Sequence, residues 1–244
     1  MNKIPAKKAI VTGSGIAGLA SAIRLACKGY TVDVFEANPY PGGKLTEFQL
    51  GEFRFDAGPS LFTLPWLVDE LFQLAGKNPK DYFAYTIHPT ACHYFFEDGT
   101  FLRFYGNKQR LLQEVSEQLN IDPEPLDKHL ERSKLIYDAS HKAFLERSLH
   151  QFSSYISTDI LKCIAHIPWL GLFTTMHEAN AKRLNHPKLV QIFDRYATYN
   201  GSNPYSAPGI LNIIPHLEHG FGTYFPLKGM HSITTALVQL AKDI

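Results

Sequence analysis

The 244-residue chain has three cysteines, Cys27, Cys92 and Cys163, and no two of them stand at the spacing of a metal site or a disulfide framework. So few thiols suit an intracellular protein that does not depend on disulfides. Long apolar runs are lacking too. The stretch from Ala9 to Cys27, preceded by Lys3, Lys7 and Lys8, comes nearest to a secretory leader, but three glycines and Arg24 interrupt it. No later run is long and apolar enough to span a bilayer. The net charge of +1 gives no electrostatic reason to expect a nucleic-acid partner. Internal repeats and low-complexity linkers are absent as well. What remains is ordinary globular composition, 45% hydrophobic, enough for one large domain or two small ones.

The informative feature is a glycine-spaced turn, Gly13-Ser-Gly15-Ile-Ala-Gly18. It follows the apolar run Ala9-Ile-Val11 and opens a helical stretch with Ala22 and Leu25 on the face of Gly18. Gly29 stands where a helix C-cap belongs, Thr31-Val-Asp-Val-Phe35 alternates as a strand does, and Glu36 follows it. Strand, tight turn, helix and a second strand ending in an acid form the dinucleotide-binding order. Gly13 permits the turn, Gly15 lets backbone approach a diphosphate, and Gly18 lets helix and strand pack. The N–H groups at the helix start, from Ile16 and Ala17 onward, face the phosphates, and Glu36 accepts from a ribose hydroxyl.

Downstream, Asn38-Pro-Tyr-Pro-Gly-Gly43-Lys44 is a turn-rich loop with a basic end. Pro65, then Leu67, Leu71 and Leu74, then Gly76 predict a short helix. An aromatic section follows, in which Asp98-Gly99 predicts a hairpin between 91–96 and 100–105. Such a sheet faces either an extended apolar ligand or, more plainly, its own helices. From 108 to about 149 the pattern is helical, with Leu126, Leu130, Tyr137 and Phe144 on one face and Pro123 and Pro125 near a start. Further helices are expected at 159–166, 172–184, 187–196 and 232–242. The fold class is therefore α/β: a Rossmann-like βαβ nucleotide-binding domain carrying an inserted β-hairpin-plus-helices domain. Few strands follow Tyr105, so the nucleotide-binding sheet is expected to be truncated.

These blocks resemble the bacterial-type phytoene desaturases, FAD-dependent carotenoid desaturases and isomerases related to amine oxidases. The resemblance runs from about Ile10 to Ile244. It rests on the dinucleotide turn with Glu36, on Pro41-Gly42-Gly43-Lys44, and on Phe55-Asp56-Ala57-Gly58-Pro59-Ser60. Two later blocks add to it: Tyr199-Asn-Gly201 through Ala207-Pro208, and Ile214-Pro215-His216-Leu-Glu218 leading to Tyr224-Phe225-Pro226-Leu-Lys-Gly229-Met230. Lys44 departs from the usual arginine, and Lys228 from a frequent glycine. The resemblance implies FAD as cofactor, held by Gly13, Gly15, Ile16, Ala17, Gly18, Glu36, Gly42, Gly43, Lys44, Gly58, Pro59 and Ser60. It implies an FAD-binding domain over 1–80, a substrate domain over 81–221, and a return to the FAD domain over 222–244. Family members run well beyond this length, so the chain is expected to be an N-terminal half.

The implied reaction desaturates a carotenoid, with hydride passing from the polyene to flavin and electrons onward to oxygen or a quinone. Asp159 is the candidate acid–base residue, although Ser157-Thr158-Asp159 before an apolar run equally suits a helix N-cap. His216 and His219 lack a third ligand at metal spacing, so no metal is expected. Arg195 and Tyr196 either support the substrate region or have a surface or packing role. A long apolar substrate implies a cytoplasmic protein peripheral to the inner face of the membrane, touching it through 164–173 with Trp169 and Phe173, although that stretch equally suits a buried helix pair around Pro168. The alternatives are an amine- or protoporphyrinogen-oxidase-like flavoprotein and a non-catalytic truncation product.

Overall fold

The computed structural model describes residues 7–144 and 170–244. Asp159, Trp169 and the helix expected at 159–166 lie outside the described residues. Contacts divide the chain into two units: one runs to His88 and resumes from Thr223 to Ile244, the other runs from Pro89 to Gly222.

In the first unit β1 (Lys8–Thr12) lies parallel to β2 (Thr31–Phe35), with Val11 opposite Val34. Helix α1 (Ile16–Cys27) connects them. It ends as its glycine requires. Gly29 takes φ +83°, its N–H donates to the Ala26 carbonyl, and that of Tyr30 donates to Leu25, the paired bonds of a Schellman stop. Leu19, Ala22 and Ile23 are buried along one stripe of α1, and Leu25 is half-buried.

Two further antiparallel pairs follow. β3 (Thr46–Leu50) pairs with β4 (Phe53–Ala57) around Gly51. β5 (Tyr85–His88) pairs with β8 (Thr223–Pro226), which ties the chain's last stretch to its first unit. α2 (Trp66–Leu74) buries Leu71 and Phe72, whereas Leu67 and Leu74, expected on its inner face, are about half exposed. The reason is geometric: the buried stripe is centred between 71 and 72, and 67 and 74 both fall on one side of it, roughly a quarter turn away. The C-terminal helix α8 (His231–Asp243) packs Ile233, Leu237 and Leu240 against Leu19 and Ile23 of α1. Leu237 is fully buried, a contribution of about 1.5–3 kcal/mol. Along the β1–β2 pair Ile10 and Phe35 are 69% and 61% exposed.

The second unit holds the hairpin β6 (Thr90–Phe95) and β7 (Phe101–Tyr105), close to its expected register. Its inner face carries Leu102 and Phe104 into a core formed by helices, so the plainer reading of the aromatic sheet is the one realised on that side. The outer face keeps a small exposed stack in which Phe95 lies 4.7 Å from Phe101 and the Arg103 guanidinium caps Phe101. The helical stretch from 108 is two helices, α3 (Lys108–Leu119) and α4 (Glu124–Phe144). Asn120 breaks them apart in a left-handed conformation, and Pro123 follows. Among the described residues this unit also holds helices α5 (Met176–Leu184) and α6 (Pro187–Asp194) and the short α7 (Ile214–His219). α5 starts later than the 172 expected because Thr175 and Glu178 form a reciprocal capping box there.

Candidate functional site

The glycine turn is closed onto the end of β2, where the Gly13 N–H donates to the Phe35 carbonyl at 2.7 Å. Gly15 is the N-cap of α1, in extended conformation and without any side-chain cap. The first bond of the helix runs from Leu19 N–H to the Gly15 carbonyl at 2.9 Å. The N–H groups of Ile16, Ala17 and Gly18 therefore precede the helical ladder, at the positive end of the helix dipole. That is the chemistry of a diphosphate site. Gly18 is needed for a different reason: a Cβ there would lie 2.0 Å from the Gly13 carbonyl oxygen.

Glu36 sits beside this turn. One carboxylate oxygen accepts from the Ser14 N–H at 2.7 Å and the Ser14 hydroxyl at 2.8 Å. The other accepts from the Asn38 N–H at 2.9 Å and its side-chain amide at 3.0 Å. The backbone bonds from Asn38 and Ser14, ahead of the side-chain bonds, hold the carboxyl down at about 2. Glu36 is thus an anion whose acceptor positions are already ordered. Two of its four donors, the Ser14 hydroxyl and the Asn38 amide, are side-chain groups that a ligand diol could replace.

The Gly-Gly loop closes the cradle from the other side. The Gly42 N–H donates to the Ser14 carbonyl at 2.8 Å. A Cβ on Gly43 would stand 3.4 Å from the Gly15 Cα, so the two backbones nearly touch. Gly42 is held between Leu45 and α8: its Cβ would meet the Leu45 carbonyl at 2.5 Å and the Thr234 methyl at 2.7 Å. The Thr234 hydroxyl fixes that arrangement by donating to the Leu45 carbonyl at 2.9 Å. Gly58 backs onto the Lys44 carbonyl. The Lys44 side chain is exposed, as are Pro59 and Ser60.

Gly13, Gly15, Ile16, Ala17, Gly18, Glu36, Gly42 and Gly43 thus converge on one cradle, Gly58 reaches it through the Lys44 backbone, and Pro59 and Ser60 follow at the surface. An uncapped helix start, a glycine-only approach and a poised carboxylate fit the adenosine diphosphate half of FAD.

Sequence reasoning missed the role of Asp56. Its carboxylate accepts from the Met230 N–H at 2.9 Å and the His231 N–H at 3.2 Å, capping α8 from a different strand. Arg54 donates to it at 2.8 Å and also to Glu47 at 2.7 Å. Burial pushes the Asp56 carboxyl up, but the Arg54 bond and the two helix N–H groups outweigh it and leave it lowered. The signal was present, since Asp56 and Gly229-Met230 both belong to blocks already singled out. Nothing in the sequence said that they touch.

In the second unit Arg195 and Tyr196 belong to a polar network. Tyr196, fully buried, donates to Glu218 at 2.9 Å and lies 3.0 Å from His219 Nε2. The Tyr199 hydroxyl donates to the other Glu218 oxygen. Arg195 donates to the Tyr94 hydroxyl at 2.9 Å and lies over the Tyr196 ring. Burial raises Glu218 against the pull of Arg195. His216 points elsewhere, onto Tyr137 and Phe221. Among the described residues no group of three or more His, Cys, Asp or Glu side chains is placed to hold a metal ion.

Comparison with known proteins agrees with this geometry. The pattern of the flavin containing amine oxidoreductases matches residues 16–244. A 1-hydroxycarotenoid 3,4-desaturase from Flavobacterium sp. (strain P99-3) is 50% identical over 98% of this chain and 48% of its own length. A 4,4'-diaponeurosporene oxygenase from Staphylococcus haemolyticus is 29% identical over 96% of this chain and 46% of its own. Among solved structures, cyclohexylamine oxidase from Brevibacterium oxydans shares the fold with a TM-score of 0.60 at 17% identity, covering 98% of this chain and 50% of that one. The chain spans about half the length of the curated relatives it matches. With its α/β FAD-binding fold and its dinucleotide cradle, the chain belongs to the flavin containing amine oxidoreductase family.

Proposed function

We propose that this chain supplies the ADP-binding portion and the substrate-domain helices of an FAD-dependent carotenoid desaturase. The observation that carries the reading is the cradle itself, with Glu36 ordered beside the Gly13–Gly18 turn and the helix start uncapped. Gly13, Gly15, Gly18 and the N–H groups of Ile16 and Ala17 hold the diphosphate, Glu36 orients the ribose, and Gly42, Gly43, Lys44 and Gly58 direct the cofactor onward. When bound, FAD supplies the hydride acceptor for the oxidation of a carbon–carbon single bond within a polyene. The carotenoid substrate is supported by the names of the relatives, the first of them at 50% identity. Asp159 remains the acid–base candidate, and oxygen or a quinone the terminal acceptor.

A membrane-dissolved substrate calls for peripheral contact with a bilayer. Among the described residues no helix is long and apolar enough to cross one. Phe173, 87% exposed at the edge of the expected contact segment, supports an interfacial reading.

The test pairs cofactor with substrate. Purified chain is mixed with FAD, passed through gel filtration and read by its visible spectrum, then assayed on hydroxylated carotenoids in vesicles and on amines. Retained flavin and a red-shifted polyene support the reading; turnover of amines alone, or no retained flavin, refutes it. Flotation with phosphatidylcholine vesicles should weaken in Phe173→Asp, and unchanged flotation discards that contact.

A further inference from the structure

The second unit holds a histidine–carboxylate pair that the cofactor chemistry leaves unused. His177, in the first turn of α5, places its ring Nδ1 2.7 Å from one carboxylate oxygen of Asp194, the last residue of α6. The other oxygen accepts from the Asn180 side-chain amide at 2.8 Å, about a turn further along α5. Asp194 is 8% exposed, so both bonds are made largely away from water. The His177 side chain itself is 31% exposed. Its ring packs against that of Tyr205, with centroids 4.3 Å apart, and Tyr205 is 64% exposed. Backbone bonds hold the two together: the Met176 N–H donates to the Ala207 carbonyl at 2.8 Å and the His177 N–H to that of Pro204 at 3.0 Å. An oriented imidazole thus reaches the surface beside a wide apolar ring.

The carboxylate decides what the imidazole offers. A carboxylate only accepts, so Nδ1 carries the ring proton, and in the neutral ring Nε2 is left as a lone pair. Such a nitrogen takes a hydrogen bond from a hydroxyl and refuses an ether, which has no proton to give. The Tyr205 face suits a flat unsaturated chain. We propose that His177 and Tyr205 bind the hydroxyl-bearing end of a polyene, with His177 Nε2 accepting from the hydroxyl and Asp194 as the positioning residue. This rests on the polyene reading given above and adds a discrimination to it: hydroxylated ligands are held over their ethers and hydrocarbons.

Asn180 makes the arrangement testable by inversion. In Asp194→Asn the side-chain oxygen stays with the Asn180 donor, which turns the amide nitrogen toward His177. Nδ1 then accepts, the ring proton moves to Nε2, and an ether becomes a partner.

The intact 244-residue chain is titrated in mixed micelles with a polyene carrying a tertiary hydroxyl at one end, with its methyl ether and with the parent hydrocarbon. Binding is followed by quenching of protein fluorescence. Nitrogen-15 spectra of the labelled imidazole read the tautomer, and the pH is set where the ring carries one proton. The unaltered chain should bind the hydroxyl ligand about tenfold more tightly than the ether, the size of one hydrogen bond. Asp194→Asn should bring the ether level with the hydroxyl ligand, with the proton on Nε2. His177→Phe keeps a ring against Tyr205 and should bind all three ligands alike, near the affinity of the hydrocarbon. A pair that merely clamps α5 to α6 would lower stability in Asp194→Asn and leave the order of ligands unchanged. That unchanged order, or equal binding of the three ligands by the unaltered chain, overturns the inference while the polyene reading stands. Binding of no polyene at all overturns both.

Discussion

Replacing Asp56 by alanine isolates the contact that joins the Phe-Asp-Ala-Gly block to the last helix. Asp56 accepts from two N–H groups at the start of α8, at 2.9 and 3.2 Å, and from Arg54 at 2.8 Å. Loss of a helix-capping acceptor costs about 0.5–2 kcal/mol, and the charge facing the helix dipole adds about 0.3–1 kcal/mol. The Arg54 pair adds little, because the arginine side chain is 39% exposed and the pairing is screened. Together the expectation is about 2 kcal/mol, a factor of about 30 in the local opening equilibrium. Asp56→Asn keeps an acceptor but no charge and should fall between. Amide hydrogen exchange in α8 reads this directly, since it reports on that helix without assuming that both units unfold together. The pH dependence has a defined sign. The folded carboxyl is lowered, so its stabilisation is complete above the ordinary aspartate value of about 3.9 and is lost as pH falls through the folded value. Asp56→Ala should remove that acid-side loss. Exchange in α8 within about 0.5 kcal/mol of the parent would refute the capping argument.

Gly18→Ala places a methyl group 2.0 Å from the Gly13 carbonyl oxygen, so α1 must move off the turn; FAD retention in gel filtration should be abolished while the second unit keeps its near-ultraviolet spectrum. Glu36→Gln should weaken ADP binding in calorimetry on the order of tenfold, the size of one charge-assisted hydrogen bond, and equal affinity would remove Glu36 from the ribose. Tyr196→Phe leaves buried Glu218 and its neighbour His219 each short of a partner and should destabilise the second unit by about 1–3 kcal/mol in urea unfolding. Thr234→Val removes the bond to the Leu45 carbonyl, so flavin binding should weaken although the residue lies far from the turn in sequence.

The parts legible in the sequence are those governed by local rules. The 3.6-residue stripe of α1, the αL stop at Gly29, the Asp98-Gly99 hairpin and the start of α6 at Pro187 each depend on a few adjacent residues, and each is present. The β3–β4 hairpin is equally local, with Gly51 between Leu50 and Phe53. Other features had no local trace. The inner faces of α2 and α4 depend on which neighbours cover them: Leu71 and Leu130 are buried while Leu67 and Leu135 are not. The pairing of Tyr85–His88 with Thr223–Pro226 joins segments more than a hundred residues apart, and no spacing rule reaches that far.

The sequence by itself determined the local form of the proposed diphosphate grip, because a glycine turn followed by a helix start and an acid carries its geometry in its own backbone. Only the tertiary structure decided what braces that grip. Asp56 on α8, Thr234 on the Leu45 carbonyl and the meeting of Gly43 with Gly15 are contacts between distant segments. Their partners are chosen by packing, which a one-dimensional pattern does not encode.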